Sequence, residues 1–100
     1  MPDNPEELAE LFKAVADTTR LRLVKLLAEA PHALCVNALT ARLGVSQSAV
    51  SQHLRVLRQA GLVHGNRCGN HVHYSLDRGQ VARAAELFMD TLGKHLSPDE

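Results

Sequence analysis

The tripeptide Gly44-Val45-Ser46 joins two segments of helical periodicity, and this short link restricts the fold more than any other feature. The two segments cover about residues 36–43 and 47–60. Gly44 stands where a left-handed C-terminal helix cap belongs, and Ser46 is a typical N-cap. A link of this length between two helices predicts a helix-turn-helix.

The second of these helices divides into two faces when its residues are placed at about 100° intervals. Its aliphatic face carries Val50, Leu54 and Leu57. Its opposite face carries only glutamine, serine and arginine, which bond adenine, guanine and phosphate well. We therefore predict a recognition helix for the major groove. Its predicted DNA-binding residues are Ser46, Gln47, Ser48, Ser51, Gln52 and Arg55.

His53 does not belong to either face of this helix. It falls at the edge of the aliphatic face, where a packed, hydrogen-bonded histidine is more common than a base reader. We therefore leave it out of the predicted DNA contacts.

The pattern changes after Gly61, where two segments alternate as strands do. They cover residues 62–64 and 71–76, and residues 66–70 between them are predicted to form a turn. A hairpin directly after a recognition helix is a wing. Arg67, in the predicted turn, is a further candidate for contact with DNA, at a phosphate or in the minor groove.

Three further N-cap residues, Asn4, Asp17 and Asp77, predict the remaining helices. The last of these helices is expected to run to about Leu96. The fold class is therefore mainly α with one β-hairpin (α+β), in the order α-α-α-α-β-β-α. With 100 residues, the chain is expected to form a single domain over residues 1–100. The helix-turn-helix covers about residues 36–60, and the wing covers about residues 62–76.

Charge is unevenly distributed along the chain, although the eleven acids and eleven Lys and Arg residues cancel. No acid occurs in residues 30–76, the stretch that contains the predicted helix-turn-helix and wing. This asymmetry favours a polyanion as partner. The three aromatic residues are too few for a platform that stacks single-stranded nucleic acid. A winged-helix module for protein contact, without sequence-specific DNA binding, is the alternative.

An enzymatic function is not expected, and no catalytic residue is proposed. A cysteine and a histidine could form a nucleophile pair, but residues 30–76 offer no acid to orient the base locally. No apolar run is long enough to span a membrane, and two cysteines do not make a disulfide framework. We therefore expect a cytoplasmic protein.

Three segments of the chain resemble the ArsR/SmtB family of bacterial and archaeal winged-helix repressors. They are ADTTRLRLVKLL at residues 16–27, LGVSQSAVSQHLRVLRQAGLV at residues 43–63, and HYSL at residues 73–76. The resemblance covers about residues 6–96. It implies a homodimer whose interface is formed by the first and last helices, about residues 5–16 and 78–96. It also implies binding to a palindromic double-stranded DNA operator, with release when an inducer binds.

The sensing residues of that family are only partly present. Members that sense thiophilic metals have Cys-x-Cys at the start of the third helix, whereas this chain has Cys35 and then Asn37. The zinc ligands on the last helix of other members correspond here to poor ligands, so the usual zinc site is expected to be absent. The residues at those positions are Arg78, Gln80, Thr91 and Lys94.

Three possibilities for induction stay open. The first is a divergent site for a thiophilic or transition metal ion, with Cys35 and His32, or the wing histidines His64, His71 and His73, as candidate ligands. The second is thiol chemistry at Cys35 or Cys68. The third is the absence of a small inducer, or an inducer that the sequence does not reveal.

Overall fold

The computed structural model describes residues 4–93, which form five α-helices and three β-strands in the order α-α-β-α-α-β-β-α. The helices are α1 (Pro5–Val15), α2 (Thr18–Glu29), α3 (Val36–Leu43), α4 (Gln47–Gln59) and α5 (Arg78–Thr91). The strands are β1 (Leu34–Cys35), β2 (Val63–Cys68) and β3 (His71–Leu76). The predicted winged helix-turn-helix is confirmed. Within residues 4–93, no helix combines the length and the apolar character needed to cross a membrane.

Four helices begin at an N-cap whose side chain accepts the backbone N–H three residues further on, over 2.8–3.1 Å. These caps are the four predicted ones, Asn4, Asp17, Ser46 and Asp77. Each such bond satisfies a first-turn N–H that has no partner within its helix. The fifth helix, α3, starts differently, since its N-cap Cys35 makes no side-chain capping bond.

One aliphatic core joins all five helices to the sheet. Its fully buried large side chains come from α2, α3, α4 and β2: Leu23, Leu39, Val50, Leu54, Leu57 and Val63. Among them, α4 contributes the three residues that its periodicity assigned to the aliphatic face. Burial of that face fixes which side of α4 remains in contact with solvent.

The sheet is three-stranded and antiparallel, in the order β1-β3-β2. Strand β1 was not predicted, because two residues are too few to show a period. Strand β2 continues into the predicted turn as far as Cys68, so Arg67 lies in β2 opposite Val72 and not in the turn. The connection is only Gly69-Asn70, with a left-handed φ of 65° at Gly69. Cross-strand pairing continues to the tip, which makes the hairpin longer and its turn tighter than predicted.

Helix α5 ends at Thr91 with Leu92 as its C-cap, earlier than the predicted end near Leu96. Leu96 itself lies outside the described residues, as does Lys94. At its other end, α5 is tied to the wing, because the backbone N–H of Asp77 donates to the Leu62 carbonyl over 2.8 Å.

Candidate nucleic-acid interface

The turn between α3 and α4 has the geometry expected from its residues. Gly44 is the C-cap of α3 with φ 69° and ψ 27°, and its N–H donates to the Thr40 carbonyl over 2.9 Å. A side chain at this φ would be strained, which explains why a glycine stands there. Ser46 then caps α4, and its Oγ accepts the Ala49 N–H over 3.1 Å.

The solvent-facing side of α4 carries all the residues predicted to contact DNA on this helix. Ser46, Gln47, Ser48, Ser51, Gln52 and Arg55 are all exposed. Arg58 is exposed on the same helix, and Arg67 is exposed on β2. The structure thus presents hydrogen-bonding and cationic groups along the exposed side of α4 and a further cation on the wing, and DNA contact at each of them stays a prediction.

The electrostatics of this surface favour an anion. The positive end of the α4 macrodipole lies at Gln47, the first residue of the helix. Of the two acids that border residues 30–76, Glu29 and Asp77, the second is engaged elsewhere: one oxygen caps α5 and the other lies 2.5 Å from His64 Nε2. The bond from the Gln80 N–H, followed by that from His64, lowers the pKa of Asp77. Asp77 is thus held ionised at the base of the wing.

A groove of about 190 Å³ separates the wing from the start of α4. Cys35, Gln47 and His71 are among its lining residues. The half-buried Cys35 thus shares a groove with the first residue of the predicted recognition helix, which sequence reasoning did not anticipate. The two-residue pairing of β1 with β3 brings Cys35 there, opposite His73.

His53 is half-buried, and its Nδ1 lies 3.2 Å from Arg20 Nη1. This agrees with its prediction as a packed, hydrogen-bonded histidine. Its partner on α2 could not be inferred from the sequence, because periodicity within α4 says nothing about which side chain of another helix arrives there.

The chain is similar to known proteins of one family. A family model described as "Bacterial regulatory protein, arsR family" matches residues 17–64, from the cap of α2 into β2. The chain is 49% identical over 79 residues to a "Transcriptional repressor SmtB homolog" of Synechocystis. That match covers 79% of this chain and 58% of the relative, so the chain spans little more than half of that protein.

Solved structures extend the likeness to whole chains. HlyU from Vibrio cholerae is 35% identical, with a TM-score of 0.73 over 93% of this chain and 99% of that one. The chain belongs to the ArsR/SmtB family. A further structure, the homodimeric winged helix-turn-helix domain Mb0332 from Mycobacterium bovis, has 29% identity and a TM-score of 0.71. That match covers 90% of this chain and 82% of that chain. The members of this family are transcriptional regulators and not enzymes, which agrees with the expectation from the sequence that the chain has no enzymatic function.

The candidate metal ligands of this ArsR-family chain do not form a single cluster. His32 is exposed with Nδ1 3.2 Å from the Ala33 carbonyl, while Cys35 lies across from His73, and Cys68 from His71, in the sheet. In residues 4–93, no three His, Cys, Asp or Glu side chains converge as a metal site requires. Both thiols are free, with Cys68 exposed on the wing. A metal or redox role for any of them stays a prediction.

Two of the four residues that stand at the family's zinc positions on the last helix make structural hydrogen bonds here. Arg78 Nη2 donates to the Ala28 carbonyl over 3.1 Å, and Gln80 Nε2 donates to the Ala60 carbonyl over 3.1 Å. These bonds tie the start of α5 to α2 and to the end of α4. Both residues were predicted from the sequence to be poor zinc ligands, but no sequence pattern indicated which carbonyl groups they bond.

Helices α1 and α5 of this ArsR-family chain pack together and leave a large apolar area exposed, which we call the α1–α5 surface. Its exposed side chains are Phe12, Phe88, Met89 and Leu92. The rings of Phe12 and Phe88 meet edge to face, with centroids 5.8 Å apart. Beside them, Arg83 donates two hydrogen bonds to Glu7, over 2.8 and 2.9 Å, which lowers the pKa of Glu7.

Proposed function

We propose that this protein is a transcriptional repressor that binds a palindromic double-stranded DNA operator as a homodimer. The observation that carries this proposal is the exposed side of α4, with three serines, two glutamines and Arg55 opposite a fully buried aliphatic face. No acid occurs between residues 30 and 76, so nothing on α3, α4 or the wing hairpin repels phosphate. The similarity to the Synechocystis repressor supports the same function.

The homodimer is proposed to form through the α1–α5 surface. Phe12 and Phe88 are 43% and 42% exposed, and Met89 and Leu92 are 55% and 47% exposed. A contiguous patch of such side chains commonly marks a protein–protein contact. The neighbour from Mycobacterium bovis is described as homodimeric, which supports a dimer here. A two-fold axis would place two α4 helices about one DNA turn apart.

Release of DNA by an inducer is part of the proposal, with a thiophilic metal ion or a thiol-reactive species as the inducer class. Cys35 is the better-placed thiol, because it lines the groove that also contains Gln47. A group added to this sulfur would lie beside the first residue of α4. Cys68 on the exposed wing is the second candidate.

The decisive experiment is DNA binding by the purified protein to a duplex that it selects from a random library. Gln47→Ala and Arg55→Ala should each weaken binding, while Lys25→Ala, an exposed cation on α2, is the matched control. Affinity should fall steeply with salt, with a slope of about 0.9 for each phosphate neutralised. Equal binding by all four proteins would refute the assignment of α4, and a flat salt dependence would favour a protein-contact module.

A further inference from the structure

The guanidinium of Arg20, in the first turn of α2, reaches two other helices. Its Nε donates to the Ala14 carbonyl over 2.7 Å, and its Nη2 donates to the Lys13 carbonyl over 3.4 Å. Both carbonyls lie in the last turn of α1. Its Nη1 lies 3.2 Å from Nδ1 of His53 in the middle of α4. One side chain therefore connects the end of α1 to the recognition helix.

The chemistry of this contact fixes the state of His53. An arginine side chain has donors and no acceptor, so the bond needs a lone pair on His53 Nδ1. The ring is then neutral and carries its hydrogen on Nε2. The Asp17 carboxylate accepts the Arg20 backbone N–H over 3.0 Å. That bond is the largest cause of the lowered pKa of Asp17, and attraction from the Arg20 charge also contributes, so an anion stands beside this arginine.

The bond supplies something that the core contacts of α4 do not. Val50, Leu54 and Leu57 hold the helix by apolar burial, which is non-directional. A side chain reaches roughly 5–6 Å from the helix axis, so a rotation of about 10° moves its tip by about 1 Å. Hydrogen bonds to bases do not tolerate such displacements well. A directional bond to His53 restricts this rotation.

We propose that Arg20 and His53 are positioning residues for DNA recognition, which set the rotation of α4 relative to α1 without touching DNA. This rests on the proposed DNA-binding function. Because α1 belongs to the proposed dimer interface, the same link also sets how the two α4 helices of a dimer are oriented towards one another.

The test compares variants that keep or remove the acceptor. His53→Asn retains an oxygen on Cγ where Nδ1 stands, whereas His53→Leu removes the acceptor. Arg20→Lys keeps the charge but carries all its donors on one nitrogen, so it does not reproduce the three nitrogens by which Arg20 reaches two carbonyls and a ring. Arg22→Lys, at an exposed arginine of the same helix, is its control. With a duplex selected by the wild-type protein, His53→Leu and Arg20→Lys should bind about ten-fold more weakly or worse. His53→Asn and Arg22→Lys should stay within about three-fold of wild type.

Two further results separate this proposal from the proposed function. If the wild-type protein selects no duplex, both fail. If the wild-type protein selects a duplex but His53→Leu and Arg20→Lys bind it normally, only the positioning role fails. Equal losses of DNA affinity in His53→Asn and His53→Leu would refute the role of His53 as an acceptor. Nitrogen chemical shifts of His53 in the DNA-free protein should place the ring hydrogen on Nε2, and a hydrogen on Nδ1 would overturn the proposal.

Discussion

Replacement of Ser46 separates the stability of α4 from its contact with DNA. Ser46 Oγ accepts the Ala49 N–H over 3.1 Å, and the Ser46 carbonyl accepts the Val50 N–H over 3.0 Å. Ser46→Ala removes only the first of these bonds. Loss of a serine N-cap costs about 1 kcal/mol of stability. For a domain of this size, that loss corresponds to a melting temperature lowered by about 4–8 °C.

Ser46→Asp is the informative partner of this variant. An aspartate accepts the same N–H and interacts favourably with the positive end of the helix macrodipole, so stability should match that of wild type. Its charge, however, would stand at the end of α4 that is proposed to enter the DNA groove. We therefore expect Ser46→Asp to retain its melting temperature but to lose DNA affinity by about ten-fold or more.

The assay pairs thermal unfolding at a fixed protein concentration with fluorescence anisotropy on a selected duplex. The melting temperature of a dimer depends on protein concentration, so the variants are compared at the same concentration. Ser46→Ala should be the less stable variant, and Ser46→Asp the weaker DNA binder. If Ser46→Asp bound DNA as tightly as wild type, the start of α4 would not face the phosphates and the proposed interface would be wrong.

Other expected outcomes test the core, the ion pairs and the thiols. Leu57→Ala, at a fully buried position, should lower the free energy of unfolding by about 2–5 kcal/mol in denaturant titrations. Arg83 lowers the pKa of Glu7 from 4.5, and the Gln80 N–H and His64 lower the pKa of Asp77 from 3.8. Both ionised carboxylates therefore stabilise the fold at a pH above these pKa values. This stabilisation is lost as the pH falls and the carboxylates are protonated. Asp77→Asn should therefore flatten the fall in unfolding midpoint below about pH 4, and an unchanged profile would contradict this. Cys35→Ser should keep DNA binding but lose release by Cd²⁺ or polysulfide, with Cys68→Ser as control; release that survives in Cys35→Ser would exclude this thiol.

The periodic buried residues of a helix and the residues that cap its ends could be predicted from the sequence. The buried set Val50, Leu54 and Leu57 follows from periodicity alone, and the caps Ser46 and Asp77 follow from local hydrogen bonding. The exposed face of α4 then follows by exclusion. Together with the short link Gly44-Val45-Ser46 and the hydrogen-bonding chemistry of glutamine, serine and arginine, these features led to the helix-turn-helix and to the candidate DNA contacts on α4.

Contacts between distant segments could not be predicted in the same way. Strand β1 is defined by its two-residue pairing with the edge of β3. Arg67 lies in a strand because the pairing of β2 with β3 continues to the tip of the hairpin. The approach of Arg20 to His53 depends on how α2 crosses α4. Each of these depends on packing across the chain, which a single sequence does not encode in any local pattern.

The short strand β1 has a mechanical consequence for regulation. Helix α3 begins at the residue that follows Cys35, and Cys35 itself is in register with His73 of the wing. The helix pair and the hairpin are therefore joined at their base, and we expect them to tilt together. A signal that releases the protein from the proposed operator would then have little freedom to change the shape of a single copy. We expect it to act on the spacing and relative angle of two copies, whose distance must match a fixed pitch of the double helix.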